Sequence, residues 1–146
     1  MSLAKINITF ILPSLVAGGA ERVMSLLAQN IDKTRFNTTL LIIGYEKDNA
    51  YTINGIKVVY LNKSRILKGV PKLLSYIFKN QPDILVSCMT HVNIPVALIL
   101  LMFPKIKLVT REANIKKVTA LYHLSNTSWL HEQLLKISYY RTNKII

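Results

Sequence analysis

The stretch Ile6-Asn7-Ile8-Thr9-Phe10-Ile11-Leu12-Pro13-Ser14-Leu15-Val16-Ala17-Gly18-Gly19-Ala20-Glu21-Arg22-Val23 decides how the rest of the chain is read. Lys5 to Leu12 reads as a first strand: Asn7 and Thr9 interrupt the apolar run and Pro13 ends it, which argues against a signal peptide. Ala20, Val23, Met24, Leu27 and Ile31 then recur at helical spacing and define one apolar face. A strand that passes through a glycine pair into a helix opens a strand–helix–strand unit.

Working outward, the alternation continues. Thr38 to Ile43 is read as a second strand, Ile56 to Leu61 as a third, Asp83 to Ser87 as a fourth and Ile106 to Thr110 as a fifth. Their centres, Leu40-Leu41-Ile42-Ile43 and Ile84-Leu85-Val86, are unbroken apolar runs, as in parallel strands covered on both faces. Pro71 fits the first turn of a helix over Lys72 to Asn80, and Pro95 fits the first turn of one running to Phe103. Ser128 to Arg141 is read as a further helix, with Asn126 or Thr127 available as its cap. The expected fold class is α/β, a Rossmann-like, doubly wound parallel sheet in three α/β/α layers with right-handed crossovers.

The 146 residues suit a single domain, residues 1–146, without repeat, low-complexity tract or linker. Apolar residues make up 51% of the chain and charged ones 18%, which excludes disorder. Nineteen Lys and Arg against seven Asp and Glu leave a net charge of +12, a field that favours phosphates, anionic lipid headgroups or nucleic acid. The longest apolar run, Ile94 to Phe103, is about half of a membrane span. One cysteine, Cys88, precludes an intrachain disulfide and suits a reducing compartment, so the expected location is cytoplasmic. The last residues, Asn143-Lys144-Ile145-Ile146, open another apolar run, and we expect a buried strand there and a chain that continues beyond it.

The glycine turn admits two readings from pattern alone. It is a plain flexible turn, or a place where a substrate approaches the backbone and the helix N-terminus presents free N–H groups to an anion. Its spacing is neither the G-x-G-x-x-G of dinucleotide binders nor a P-loop. Ile11 to Val23 nevertheless resembles the Gly-Gly-Ala-Glu-Arg turn that opens the retaining, GT-B-fold glycosyltransferases of the group 1 family. The resemblance continues through Gln81-Pro82-Asp83-Ile84-Leu85-Val86-Ser87-Cys88-Met89-Thr90-His91-Val92-Asn93, through Val109-Thr110-Arg111-Glu112-Ala113-Asn114, and through Tyr140 to Ile146. Two departures stand out. Cys88 occupies a position where many members carry histidine, and Arg111-Glu112 inverts the order of the family's charged pair.

The resemblance implies the N-terminal, acceptor-side half of a GT-B fold, with the donor-binding domain lying beyond Ile146. It implies transfer of a hexose-type sugar from a nucleotide-sugar donor to a glycan or lipid-linked acceptor, with retention, no metal and no other cofactor. The enzyme would then be the longer protein, and this half alone would bind without turnover. On that reading Gly18 and Gly19 donate backbone hydrogen bonds to donor or acceptor. His91 bonds a sugar hydroxyl or, alternatively, caps the third helix. Thr90 and Asn93 bind substrate or cap the same helix. Arg111 neutralises a phosphate and Glu112 accepts an acceptor hydroxyl, unless the two simply pair at the rim. Cys88 reads as a small buried apolar residue, and Glu21 and Arg22 as first-turn surface charges.

Lys57, Lys63, Arg65, Lys68, Lys72 and Lys79 follow one another between Asp48 and Asp83 with no intervening acid. On one helix from Arg65 to Asn80, Arg65, Lys68, Lys72 and Lys79 would share a face with Tyr76 beside them, opposite Leu67, Val70, Leu73, Leu74, Ile77 and Phe78. That surface suits the anionic inner face of a membrane, or is a solvated charged face. The competing function is a basic, non-catalytic α/β domain that binds nucleic acid or another polyanion. The basic residues lack interleaved aromatics and show no nucleic-acid motif. A nicotinamide-binding domain using Glu46 as its ribose acid would need the absent G-x-G-x-x-G.

Overall fold

Alternation along the first strand, β1 (Ile6–Leu12), sorts the molecule into layers. Ile8, Phe10 and Leu12 face one way and Ile11 the other, because successive strand side chains leave on opposite sides. In β2 (Phe36–Ile42), Leu40 and Ile42 oppose Leu41; in β4 (Ile84–Cys88), Val86 and Cys88 oppose Leu85. Helix α1 (Gly19–Asn30) covers the first face with Met24 and Ala28. Helices α2 (Ile66–Asn80) and α3 (Thr90–Leu100) cover the second with Leu73, Ile77, Val92, Val96 and Leu100. Strands β3 (Lys57–Tyr60), β5 (Lys107–Arg111) and β6 (Lys144–Ile145) and helix α4 (Trp129–Arg141) complete this computed structural model, which describes residues 4–111 and 129–146.

The sheet runs β3-β2-β1-β4-β5-β6, and every pairing is parallel. The expected α/β/α sandwich is therefore present, with one apolar core on each face of the sheet. Asp83 fixes the lower end of the β1–β4 seam. Its Oδ2 accepts from the Asn7 N–H at 2.7 Å, and its own N–H donates to the Asn7 carbonyl at 2.9 Å.

Several boundaries differ from the sequence reading. β2 begins at Phe36 rather than Thr38, because the ladder with β1 already pairs Ile6 with Phe36. Helix α2 runs unbroken through Pro71, and α3 starts at Thr90, five residues ahead of Pro95. Each proline withholds an N–H from the carbonyl four residues back, which belongs to Leu67 or His91. Both of those residues are exposed, so water can take the place of the missing donor. Gly69 lets α2 approach the sheet, since a Cβ there would stand 3.2 Å from Ile43 Cγ2. On this continuous helix the buried stripe is Ile66, Gly69, Leu73 and Ile77, and Leu67 and Phe78 of the expected apolar face are 73% and 69% accessible. The C-terminal run does form a strand, β6, but both of its residues are exposed rather than buried. The expected start of the last helix at Ser128 and its caps lie outside the described residues.

The end of α4 is pinned by one side chain. Arg141 donates from Nε to the Leu100 carbonyl at 3.0 Å, and from Nη2 to Phe103 at 3.0 Å and Ile106 at 2.8 Å. These are carbonyls at and beyond the end of α3, where a helix lacks donors and favours a cation. Asn143 then aligns the following strand, its Oδ1 accepting from the Leu108 N–H and its own N–H donating to the Leu108 carbonyl, each at 2.8 Å. Arg141→Ala should lower stability by about 2–3 kcal/mol, measured by urea denaturation. Arg141→Lys should recover less than half of that, because an ammonium cannot span three carbonyls in one plane.

Candidate functional site

The strand order reverses between β1 and β4. From β1 the chain winds outward through β2 and β3, then crosses to β4 and winds the other way. The loops leaving the carboxyl ends of β1 and β4 diverge there, at the position where open α/β sheets usually hold a ligand. The glycine turn follows β1, the Thr90–His91 pair follows β4, and Arg111 ends β5 next to Cys88. Topology thus gathers Gly18, Gly19, Thr90, His91 and Arg111 at one rim of the sheet. Glu112 lies outside the described residues.

The two glycines differ in what they offer. Gly18 is the N-cap of α1, with extended backbone at φ −115°, and its N–H is taken by the Val16 carbonyl at 2.7 Å. The donors left at this helix end are those of Gly19, Ala20 and Glu21, the orphan N–H groups of a first turn. Among the described residues outside its own helix turn, nothing lies within 4 Å of where a Gly19 Cβ would stand, and Gly19 is exposed. Gly18 faces inward instead: a Cβ there would meet the Glu21 carboxylate, 2.8 Å from its Cδ, and that side chain would have to swing aside.

Glu21 itself is a correction to the sequence reading. It is 8% accessible, not a surface charge, and lies on the inward face of α1 with Met24, Ser25 and Ala28. The buried stripe Glu21, Met24, Ser25, Ala28 follows i, i+3, i+4, i+7, whereas Val23 and Leu27 of the expected apolar face are 43% and 52% accessible. Its charge reaches Cys88 across the rim. Burial raises the Cys88 thiol above its ordinary range, with a partial offset from the Arg111 guanidinium, whose Nη1 donates to Sγ at 3.7 Å. Cys88 is therefore a fully buried thiol rather than a thiolate, as its apolar reading expected.

The β4–α3 turn is held in a conformation that L-residues rarely adopt. Met89 has φ +75° and is the N-cap of α3. Its N–H donates to the Arg111 carbonyl at 3.2 Å, and its carbonyl accepts from Val92 and Asn93 at 2.9 Å each. Asn93 is 2% accessible and braces the same turn, with Oδ1 accepting from Ser87 Oγ at 2.8 Å and Nδ2 donating to the Arg111 carbonyl at 3.3 Å. Its part at the rim is that of a positioning residue. Thr90, half-buried and hydrogen-bonded, opens the helix, and the His91 side chain beside it is exposed. A strained N-cap held by surrounding contacts is where backbone strain tends to serve a site.

Among the described residues, no three His, Cys, Asp or Glu side chains gather in a way that would hold a metal ion. No helix of the described residues is long and apolar enough to cross a membrane.

A doubly wound parallel sheet with polar groups at its switch point is a Rossmann-like architecture, that of one half of the GT-B folds it matches. Solved structures similar to this chain come from enzymes of that architecture. They include a UDP-N-acetylglucosamine 2-epimerase from Listeria monocytogenes, at a TM-score of 0.70 and 16% identity over 99% of this chain and 39% of that one. MurG from Acinetobacter baumannii matches at 0.62 and 12% identity, over 96% of this chain and 40% of its own. An alpha-glucosyltransferase in complex with UDP and a 13-mer DNA matches at 0.56 and 18% identity, over 97% and 37%. No family model and no curated protein matches the sequence. The chain spans about two fifths of the length of those enzymes, and what it shares with them is the fold.

The contact between Gly18 and Glu21 can be tested by a double-mutant cycle. Gly18→Ala should destabilise the wild type but be close to neutral in a Glu21→Ala background, with a coupling of about 0.5–3 kcal/mol by urea denaturation. Additive effects would mean that the carboxylate does not pack on Gly18.

Proposed function

We propose that this chain is the N-terminal, acceptor-side lobe of a retaining glycosyltransferase, which moves a sugar from a nucleotide-sugar donor to a glycan or lipid-linked acceptor without a metal. The observation that carries the reading is the convergence of the exposed Gly19 backbone, the strained Met89–His91 turn and Arg111 on one rim at the switch point. Sugar-nucleotide chemistry is supported by the similar folds, among them a UDP-GlcNAc 2-epimerase and a UDP-bound alpha-glucosyltransferase. In this reading a donor-binding lobe follows Ile146 and closes over the rim.

The residues then divide the work. The first-turn N–H groups of α1, Gly19 among them, face the developing negative charge of the departing diphosphate, where fixed donors help most. Gly18 and Asn93 hold that geometry from behind. His91 hydrogen-bonds a hydroxyl of the transferring sugar or acceptor, with Thr90 beside it. Arg111 offers charge to phosphate, and Glu112 accepts from the attacking hydroxyl. In the full-length protein, supplied with a panel of nucleotide sugars and glycan acceptors, His91→Ala should lower kcat about 100-fold with an unchanged melting temperature. Product with inverted anomeric configuration, or full activity after His91→Ala, would overturn this assignment.

A cytoplasmic enzyme with a lipid-linked acceptor works at the inner membrane face, and α2 is built to lie there. Its solvent side sets Leu67, Pro71 and Phe78 beside Lys68 and Lys79, a basic amphipathic surface with its apolar residues already exposed. Charge reversal at Lys68 and Lys79 should abolish sedimentation with phosphatidylglycerol vesicles and leave neutral vesicles unaffected. Equal loss of duplex DNA binding, falling steeply with salt, would instead favour a general polyanion-binding domain.

A further inference from the structure

The crossover from β2 to β3 contains no α-helix. After the single 3-10 turn Glu46–Asp48, the chain runs down the sheet edge to Gly55. Beside this segment, whose Tyr51, Ile53 and Ile56 pack on the core, lies a hollow of about 590 Å3 lined by Glu46, Asn49, Tyr51, Thr52, Val58 and Tyr60. This is the size range of small-ligand sites. Its wall touches the candidate site from outside: the Ala50 N–H donates to the Leu15 carbonyl of the glycine turn at 2.8 Å, and the Arg22 guanidinium lies 5.9 Å from the centre of the Tyr51 ring.

The hydrogen-bonding inventory of this hollow is incomplete in a particular way. Asn49 Nδ2 donates to the Tyr60 hydroxyl at 2.8 Å, which leaves the Tyr60 proton free to be given elsewhere. Asn49 Oδ1 and the Tyr51 hydroxyl are both buried with no partner. Native proteins pair nearly all such groups, so two in one wall call for a reason. The lining offers donors and acceptors together, a carboxylate, two aromatic rings and no cation. An anion would meet the Glu46 carboxylate while Arg22 is engaged on the Tyr51 ring, and an aliphatic ligand would leave the polar atoms unpaired. A sugar fits both demands, since each hydroxyl gives and takes a hydrogen bond while its C–H face packs on an aromatic ring.

We infer that this hollow is a saccharide subsite that holds a sugar unit of the acceptor at a distance from the reacting hydroxyl. It rests on the acceptor-side reading above and adds to it an acceptor longer than one residue. Both unpaired atoms are closed off from solvent in the free protein, so a sugar hydroxyl in the hollow reaches them only when the Asn49 or Tyr51 side chain turns toward it. The unpaired groups are then costly in the free protein and useful in the complex.

The experiment is a ¹H–¹⁵N NMR titration of this chain with maltotriose, chitotriose and mannotriose in turn, together with melting curves. At least one sugar should shift the amides of Glu46 to Ile53 and of Val58 to Tyr60. Tyr51→Phe, which keeps the ring on Arg22, should weaken that binding roughly tenfold, the size of one lost hydrogen bond, while the melting temperature stays or rises. Asn49→Ala should weaken it similarly. Unchanged affinity in both variants overturns the proposal, as does a lowered melting temperature in Tyr51→Phe with binding intact, which marks a structural hydroxyl. Shifts confined to Gly18, Gly19 and Thr90 to Asn93 overturn the subsite and leave the acceptor-side reading standing. Silence with all three sugars overturns the subsite, and the transfer assay judges the wider reading separately.

Discussion

The pairing of β1 with β4 is the constraint on which the rest depends. Ile8, Thr9, Phe10 and Ile11 stand beside Ile84, Leu85, Val86 and Ser87 in parallel register. Because connections between parallel strands are right-handed, the segments leaving β1 and β4 must go to opposite faces of the sheet, α1 to one and α3 to the other. The divergence of the loops at this seam follows from chain handedness alone. Register matters as much as order. A slip of one residue would turn Ser87 and Cys88 to the wrong faces, taking the hydroxyl from Asn93 and putting the thiol among α3 side chains. The Asp83–Asn7 clamp opposes that slip.

Polar groups at the rim fall into two sets. Ser87, Asn93, the Arg111 carbonyl and the Met89 backbone are spent on one another, in a buried network where every lost partner would be costly. What they build is a rigid, strained turn. Among the described residues, the groups left for a ligand are fewer: the first-turn N–H donors of α1, the exposed His91 imidazole and the Arg111 guanidinium charge. The Arg111 guanidinium is half-buried and turned toward Cys88. Buried polar atoms at this rim position the groups that remain free, which is the arrangement a preorganised site needs.

The layered fold was legible in the chain because its signals are local. Apolar runs at Leu40 to Ile43 and Ile84 to Val86 announced strands covered on both sides, and the α1 periodicity announced a helix. The misreadings were also local. Pro71 and Pro95 suggest helix starts, whereas each sits one turn further in, where the residue whose carbonyl loses its donor is exposed. Glu21 was read by its charge instead of by its place on the buried stripe. Asn93 carried the right position but not its partners, which lie 6 and 18 residues away.

Taken alone, the amino-acid sequence determined the element types, the two-sided burial of the strands, the basic charge and the glycine turn with which the first helix begins. These depend on backbone geometry and side-chain period over a few residues. Strand order, the side of the sheet each crossover takes, the burial of Glu21, the Ser87–Asn93–Arg111 brace, the exposure of Leu67 and Phe78 and the hollow beside β3 were decided only by the tertiary structure. The reason is physical: they arise from contacts between residues far apart in sequence, and no period along the chain encodes which of several apolar faces will meet.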